Sequence, residues 1–355
     1  MQSATTTMTE LTKPLPGIEV ETALPEPQPG HWLERAPGKR LMVFSGRSHP
    51  GLAQRIAEHL GVELGEIELE TFANGESYCR YGESIRGADV FLVQTGSEPV
   101  DRNIWELLLM IQAAKLASAK RITAVIPWFA YSRQDRKARP REPISARLLA
   151  DTLQLAGADR VLTMDLHAGQ IQGFFNIPVD HMTALPLFVQ HFHDPGLTGP
   201  EVVSVAPDAG RAKYAHRFSE LINADFAIMH KTRPAHDQVG IVEVTGRVRD
   251  KIAVVGDDVT TTGGTQIAGA EVLREHGAKD VWMFVTHSLL DADTLSRVAS
   301  GVTGLVITDT VPIDPTRKPD NVTVLTVSRL LAETIMNVFS DDSVSAIFGP
   351  ENQLF

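Results

Sequence analysis

Cysteine is almost missing from this chain of 355 residues: Cys79 is the only one, so no intrachain disulfide can form. That fits a reducing compartment, and the cytoplasm is the expected location. Long apolar runs are missing too. No stretch approaches the ~18 consecutive apolar residues that span a bilayer, so no membrane partner is expected. The N-terminus lacks a basic segment followed by an apolar one, which argues against a secretory signal. Positive charge is in deficit, with a formal net charge of −11, and this argues against general affinity for nucleic acid. Against that background, local basic clusters become informative. What remains, 43% hydrophobic and 22% charged, is the composition of a globular protein long enough for two domains.

The stretch that organises the rest is Ile252 to Thr265, reading IAVVGDDVTTTGGT. Its apolar start predicts a short buried strand, and Gly256 is expected to open a turn. Asp257 and Asp258 follow, then Thr261, Thr262, Gly263, Gly264 and Thr265 lead into a helix. A Gly-rich turn between strand and helix leaves backbone N–H groups pointing at an anion, and the threonine hydroxyls add donors. The two carboxylates are placed to accept hydrogen bonds from sugar hydroxyls or to hold a metal ion. A phosphate together with a diol is what a ribose 5-phosphate presents. The plainer alternative is a capped helix with acids near its positive end. No lysine follows the glycines, so the loop is not a Walker A motif.

Along the chain, residues 1–38 carry TTT and LPEPQP with few bulky apolar residues and read as a disordered tail. A weak repeat of strand, polar turn, helix and strand then appears twice, at 90–126 and at 252–285. Asp101 is expected to cap the first of these helices. The alternation implies α/β architecture, with two similar domains at 39–184 and 185–355, each a mainly parallel sheet flanked by helices. Ligands in such sheets bind beyond the carboxyl ends of strands. After one such end, PWFAYSRQDRKARPREPISAR gathers Arg133, Arg136, Lys137, Arg139, Arg141 and Arg147, a set suited to phosphate oxygens. VLTMDLHAGQIQGFF places His167 in a shaped loop.

Together, DDVTTTGGT, SRQDRK, DLHAGQIQGFF, FSGRSH, FANGESY, VAPDAGRAK, HKTRP and SVSAIF resemble ribose-phosphate pyrophosphokinase in one order along nearly the whole chain after the tail. The first of these alone is shared with type I phosphoribosyltransferases. The resemblance implies two phosphoribosyltransferase-type domains and transfer of the diphosphoryl group of ATP to the 1-hydroxyl of ribose 5-phosphate. It implies Mg²⁺ held by His167 and Asp208, and a catalytic pair, Lys231 and Arg233. ATP would be met by Arg133, Gln134, Asp135 and His167, with Phe72, Asn74 and Glu76 completing the adenine pocket from a neighbouring subunit. Asp257, Asp258 and residues 261–265 would bind ribose 5-phosphate. A homo-oligomer, a hexamer as in most of the family, is implied, with phosphate and ADP as effectors at Arg141, Ser343, Val344, Ser345 and Phe348. The chain departs from the family pattern at Thr261, in place of a third Asp, at Arg211, in place of a second Gly, at Asn176, and in its longer tail. Thr261 and Arg211 keep open a non-catalytic subunit of the family, and the shared loop keeps open a phosphoribosyltransferase.

Overall fold

The computed structural model describes residues 33–36, 39–231 and 242–344. The first sheet is built from β1 (Leu33–Ala36), β2 (Lys39–Ser45), β5 (Asp89–Val93), β6 (Arg121–Ile126), β7 (Arg160–Met164) and β8 (Val179–Met182), in that spatial order, while β3 (Ile67–Thr71) and β4 (Ser77–Tyr81) form a separate hairpin. Between its strands run α1 (Pro50–Leu60), α2 (Val100–Leu116) and α3 (Ser145–Ala156), and α4 (Leu185–His193) follows β8 in the chain. The second sheet comprises β9 (Val202–Ala206), β10 (Asp225–Lys231), β11 (Val242–Thr245), β12 (Ile252–Thr260), β13 (Asp280–Ser288), β14 (Gly304–Thr308) and β15 (Val322–Leu325), in the order β11-β10-β9-β12-β13-β14-β15. Between its strands run α5 (Ala212–Leu221), α6 (Gly264–Glu275) and α7 (Ala292–Ser300), and α8 (Ser328–Ser340) follows β15 in the chain. Each sheet is parallel except for one edge strand, β1 against β2 and β11 against β10. The fold is α/β, as the alternation of strands and helices implies.

Continuous apolar runs are the reason the central strands are parallel and doubly covered: β5, β9 and β14 are buried along their whole length. One core cluster belongs to each sheet's outer helices, and a third joins the sheets. That third cluster runs from Leu41 and Leu52 through Phe188 and Phe218 to Phe284 and Phe339, and within it α1 packs against α8. Phe284 sits among Phe188, Phe192, Tyr214 and Phe218, with ring centroids at 4.6, 5.9, 6.0 and 4.5 Å.

Three sequence expectations change. Strand β1 lies inside the stretch read as tail, because an edge strand of LERA is too short to show alternation and gains its order by pairing with β2. Asp101 does not cap α2: the cap position is Pro99, and Asp101 stands in the first turn, where its carboxylate accepts a hydrogen bond from the Tyr131 hydroxyl. Gly256 does not open a turn. Strand β12 continues through it to Thr260, because β13 pairs alongside as far as Ser288. The glycine serves close approach instead, since a Cβ there would lie 2.2 Å from the Phe284 ring. Residues 1–32 of the expected tail lie outside the described residues.

Removing the Phe284 ring should leave a cavity at the junction of both sheets. Phe284→Ala is expected to lower stability by ~3–5 kcal/mol, read as a reduced denaturation midpoint in urea.

Candidate active site

A cleft of about 530 Å³ opens at the carboxyl ends of the strands, lined by residues from both sheets. From the first sheet come Arg133 and Arg136, in the loop after β6, and His167, just past β7. From the second come Asp208, Gly210 and Arg211 after β9, and residues 257–262 with Thr265 and Gln266 at β12 and the start of α6. Extending β12 to Thr260 carries Asp257 and Asp258 out to the sheet's rim, and the chain turns only afterwards. Gly263 makes that turn at φ +69°, with the Val298 side chain 2.2 Å from where a Cβ would be. Helix α6 then starts with its first-turn amides lacking intrahelical acceptors, as at every helix N-terminus.

His167 is held from beneath by buried polar groups. Asp165, at φ +34°, accepts hydrogen bonds from the Ala184 amide (3.0 Å) and the Thr286 hydroxyl (2.7 Å), which ties β7 to β13 of the other sheet. Burial raises its pKa, and no cation pairs with it among the described residues. His287 donates from Nε2 to the Met164 carbonyl (3.1 Å), and His181 accepts at Nε2 from the Leu166 amide (2.8 Å). Burial pushes both imidazoles down to about 4, so they are neutral packing groups at neutral pH.

In the cleft, His167 Nδ1 lies 2.7 Å from Asp258 Oδ2. Arg211 Nη2 stands 3.1 Å from the same nitrogen, so imidazole, guanidinium and carboxylate meet at one point. Arg211 Nη2 also pairs with Asp258, Arg211 Nε lies 3.5 Å from Asp257 Oδ1, and the same guanidinium donates to the His167 carbonyl at 3.2 Å. For Asp258 the burial penalty is outweighed by the His167 hydrogen bond and the Arg211 charge, and its pKa falls. Asp257 goes the other way, raised well above the usual carboxylate range by burial and by the charge of Asp258. One acid is therefore firmly ionised and its neighbour reluctant.

Comparison with known proteins follows the same outline. Residues 41–157 match the N-terminal domain of ribose phosphate pyrophosphokinase, and residues 227–349 the phosphoribosyl synthetase-associated domain. A ribose-phosphate pyrophosphokinase of Caldanaerobacter subterraneus subsp. tengcongensis is 46% identical over 309 residues, 87% of this chain and 98% of its own. The chain belongs to the ribose-phosphate pyrophosphokinase family. A chloroplastic member from Arabidopsis thaliana is 40% identical over 92% of this chain and 83% of its own. The crystal structure of phosphoribosylpyrophosphate synthetase from Mycobacterium smegmatis superposes with a TM-score of 0.79 at 43% identity, covering 85% of this chain and 99% of that one.

Of the residues that the family resemblance singles out, the fold brings together Arg133, His167, Asp208, Asp257, Asp258, Thr261, Thr262 and Thr265 in one cleft. Thr261 accepts from Arg133 Nη1 at 3.3 Å, so this departure from the family pattern faces a cation across the cleft. Gln134 and Asp135 are turned to neighbours, Gln134 accepting from the Ser145 hydroxyl (2.6 Å) and Asp135 from Gln170 (2.6 Å). Phe72, Asn74 and Glu76 form the exposed β3–β4 turn and do not line the cleft of their own chain. Lys231 ends β10 opposite Val242, and Arg233 lies outside the described residues. Arg141 is exposed at φ +73°. Ser343 accepts from Asn337 through its carbonyl and Val344 packs on the core that joins the sheets, while Ser345 and Phe348 lie outside the described residues. The contribution of Gln266, 3.4 Å from Asp257 Oδ2, carried no motif signal.

The raised pKa of Asp257 has a sign that can be tested. A folded-state pKa above the unfolded one means that this group favours folding only below the unfolded value, and that the benefit is lost as pH rises through the folded value. The contribution of Asp257 to folding is therefore less favourable at neutral pH than at pH 3, where the carboxyl is protonated folded or unfolded. Asp257→Asn should therefore raise the melting temperature at pH 7 and change it little at pH 3, while weakening ribose 5-phosphate binding. Differential scanning calorimetry at both pH values checks the first part, and substrate titration the second.

Proposed function

We propose that this cleft transfers the diphosphoryl group of ATP to the 1-hydroxyl of ribose 5-phosphate, giving phosphoribosyl diphosphate and AMP. The observation that carries the reading is the single cleft in which a paired-acid, glycine–threonine phosphate site from one sheet faces His167 and two arginines from the other. The 1-hydroxyl oxygen forms a bond to the β-phosphorus of ATP. The bond from that phosphorus to its bridging oxygen breaks, the oxygen leaves with AMP, and the hydroxyl proton is released. Such a transfer depends on positioning and charge stabilisation more than on covalent help. Thr262, Gly263, Gly264 and Thr265 receive the 5-phosphate, Asp257 and Asp258 orient the sugar, and Arg133 with Arg136 meets the polyphosphate.

Mg²⁺ would be held by His167 and Asp208 together with ATP oxygens and water. The donor set fits: His167 Nδ1 is committed to a carboxylate, which orients Nε2 in the way ligating histidines are commonly oriented. Asp208 is fixed by the Arg211 amide at 3.2 Å. Two protein donors suffice for an ion that keeps several waters and binds through substrate phosphates. When bound, the ion neutralises charge on the transferring phosphates.

The remaining parts of the proposal extend beyond one chain. The Phe72–Glu76 turn serves a neighbour's adenine pocket, so the working form is a homo-oligomer, a hexamer by family likeness. Two phosphoribosyltransferase-like domains, 39–184 and 185–355, share the work. Phosphate and ADP act at Arg141, Ser343, Val344, Ser345 and Phe348, and the enzyme operates in the cytoplasm. No helix among the described residues is long and apolar enough to cross a membrane.

The direct test is AMP formation from ATP, Mg²⁺, phosphate and ribose 5-phosphate; no AMP would favour a non-catalytic member of the family. Lys231→Ala should lower kcat and kcat/KM together by ~100- to 1,000-fold, the scale for losing one preorganised stabilising donor. A KM change alone would reduce Lys231 to a binding role. Mixing Phe72→Ala with Lys231→Ala subunits should restore activity through hybrid sites, and failure despite proven exchange would place the adenine pocket within one chain.

A further inference from the structure

Paired carboxylates at a strand end can serve a sugar in two ways: alone, by accepting hydrogen bonds from its hydroxyls, or through a divalent cation bridging acid and sugar. Arg211 separates the two. Its side chain is only 12% exposed and lies across both acids, paired with Asp258 and 3.5 Å from Asp257 Oδ1, with a further hydrogen bond to the His167 carbonyl. Its position is set locally, because it ends the short 3-10 turn Ala209–Arg211 and its amide donates to Asp208 Oδ1. We propose that Arg211 is the resident counter-cation of the ribose site, so that Asp257 and Asp258 bind the sugar diol without a divalent ion of their own. This rests on the ribose 5-phosphate reading of the cleft.

Three features support it. A guanidinium cannot be deprotonated in a protein, so its charge stays on the acid pair at every working pH. Asp258 Oδ2 already receives both His167 and Arg211, and a hard cation demanding near-octahedral oxygen ligands would have to displace both. Asp257 Oδ2, with Gln266 at 3.4 Å, remains for a hydroxyl. The expected Mg²⁺ need is then confined to the ion that travels with ATP on the His167–Asp208 side.

The test is a Mn²⁺ titration of the full chain without nucleotide, followed by electron paramagnetic resonance, with and without ribose 5-phosphate. The wild-type chain should show no Mn²⁺ binding that Asp257→Asn removes. Arg211→Gln should gain about one Mn²⁺ per chain, and Arg211→Gln with Asp257→Asn should lose it again, whereas Arg211→Lys should gain none. In turnover, the wild-type KM for ribose 5-phosphate should be flat as free Mg²⁺ rises above that bound to ATP. For Arg211→Gln it should fall by about tenfold once free Mg²⁺ exceeds its dissociation constant by that factor. Wild-type Mn²⁺ binding that depends on Asp257 overturns the proposal, as does an Arg211→Gln chain that folds by circular dichroism and gains no site. The wild-type arm decides alone if Arg211→Gln does not fold. Because the titration needs no turnover, it stands apart from the AMP assay.

Discussion

The buried carboxylate of Asp165 is the joint on which the cleft depends. It sits at the end of β7 in the first sheet and accepts from Thr286 on β13 of the second, with no cation among the described residues to offset its burial. Its Oδ1 has no hydrogen-bond partner. Leaving a buried acceptor unmet costs free energy, and the raised pKa is the same cost expressed as proton affinity. What it secures is register between the sheets. His167, two residues further on, reaches Asp258 on β12 only because β7 and β13 are fixed against each other here, with His287 bridging the same seam to the Met164 carbonyl.

Above this joint the charges are arranged by sheet. The first sheet sends arginines and an imidazole, and the second sends three carboxylates, a glycine-lined helix start and one arginine. A net negative protein thus concentrates positive charge on one wall of the cleft and carboxylates on the other. Arg211 is the exception, a cation placed among the acids by the short turn after β9. Its pairing with Asp258 explains how two adjacent acids coexist at a buried rim: one is fully ionised in its company, and the other shifts upward.

Much of this was legible in the sequence because the chemistry is local. The GDDVTTTGGT string keeps the acids, the threonines and the left-handed turn at Gly263 within one segment, so their meeting in one cleft could be anticipated from spacing. Arg211 stood out as a departure from pattern, but its target lies far along the chain, and only packing of β9 beside β12 reveals it. Gly256 misled for the same reason. A glycine in a strand resembles a turn until the Phe284 ring occupying its missing side chain is known. Asp101 carried a cap's chemistry, yet the helix began two residues earlier than its spacing implied. His181 and His287 showed no signal, since burial and backbone hydrogen bonding leave no motif.

The packing of α8 against α1 sets a condition on how this chain is made. The core that supports the first sheet takes Leu52, Ile56 and Leu60 from α1, and it also takes Leu331, Ile335 and Phe339 from the last described helix. During synthesis the first sheet emerges well before α8, which supplies one of its two apolar covers. Until then α1 presents a bare hydrophobic stripe. The N-terminal half therefore cannot complete its own interior, and vectorial folding of two successive domains gives way to a closing step that waits for residue 339.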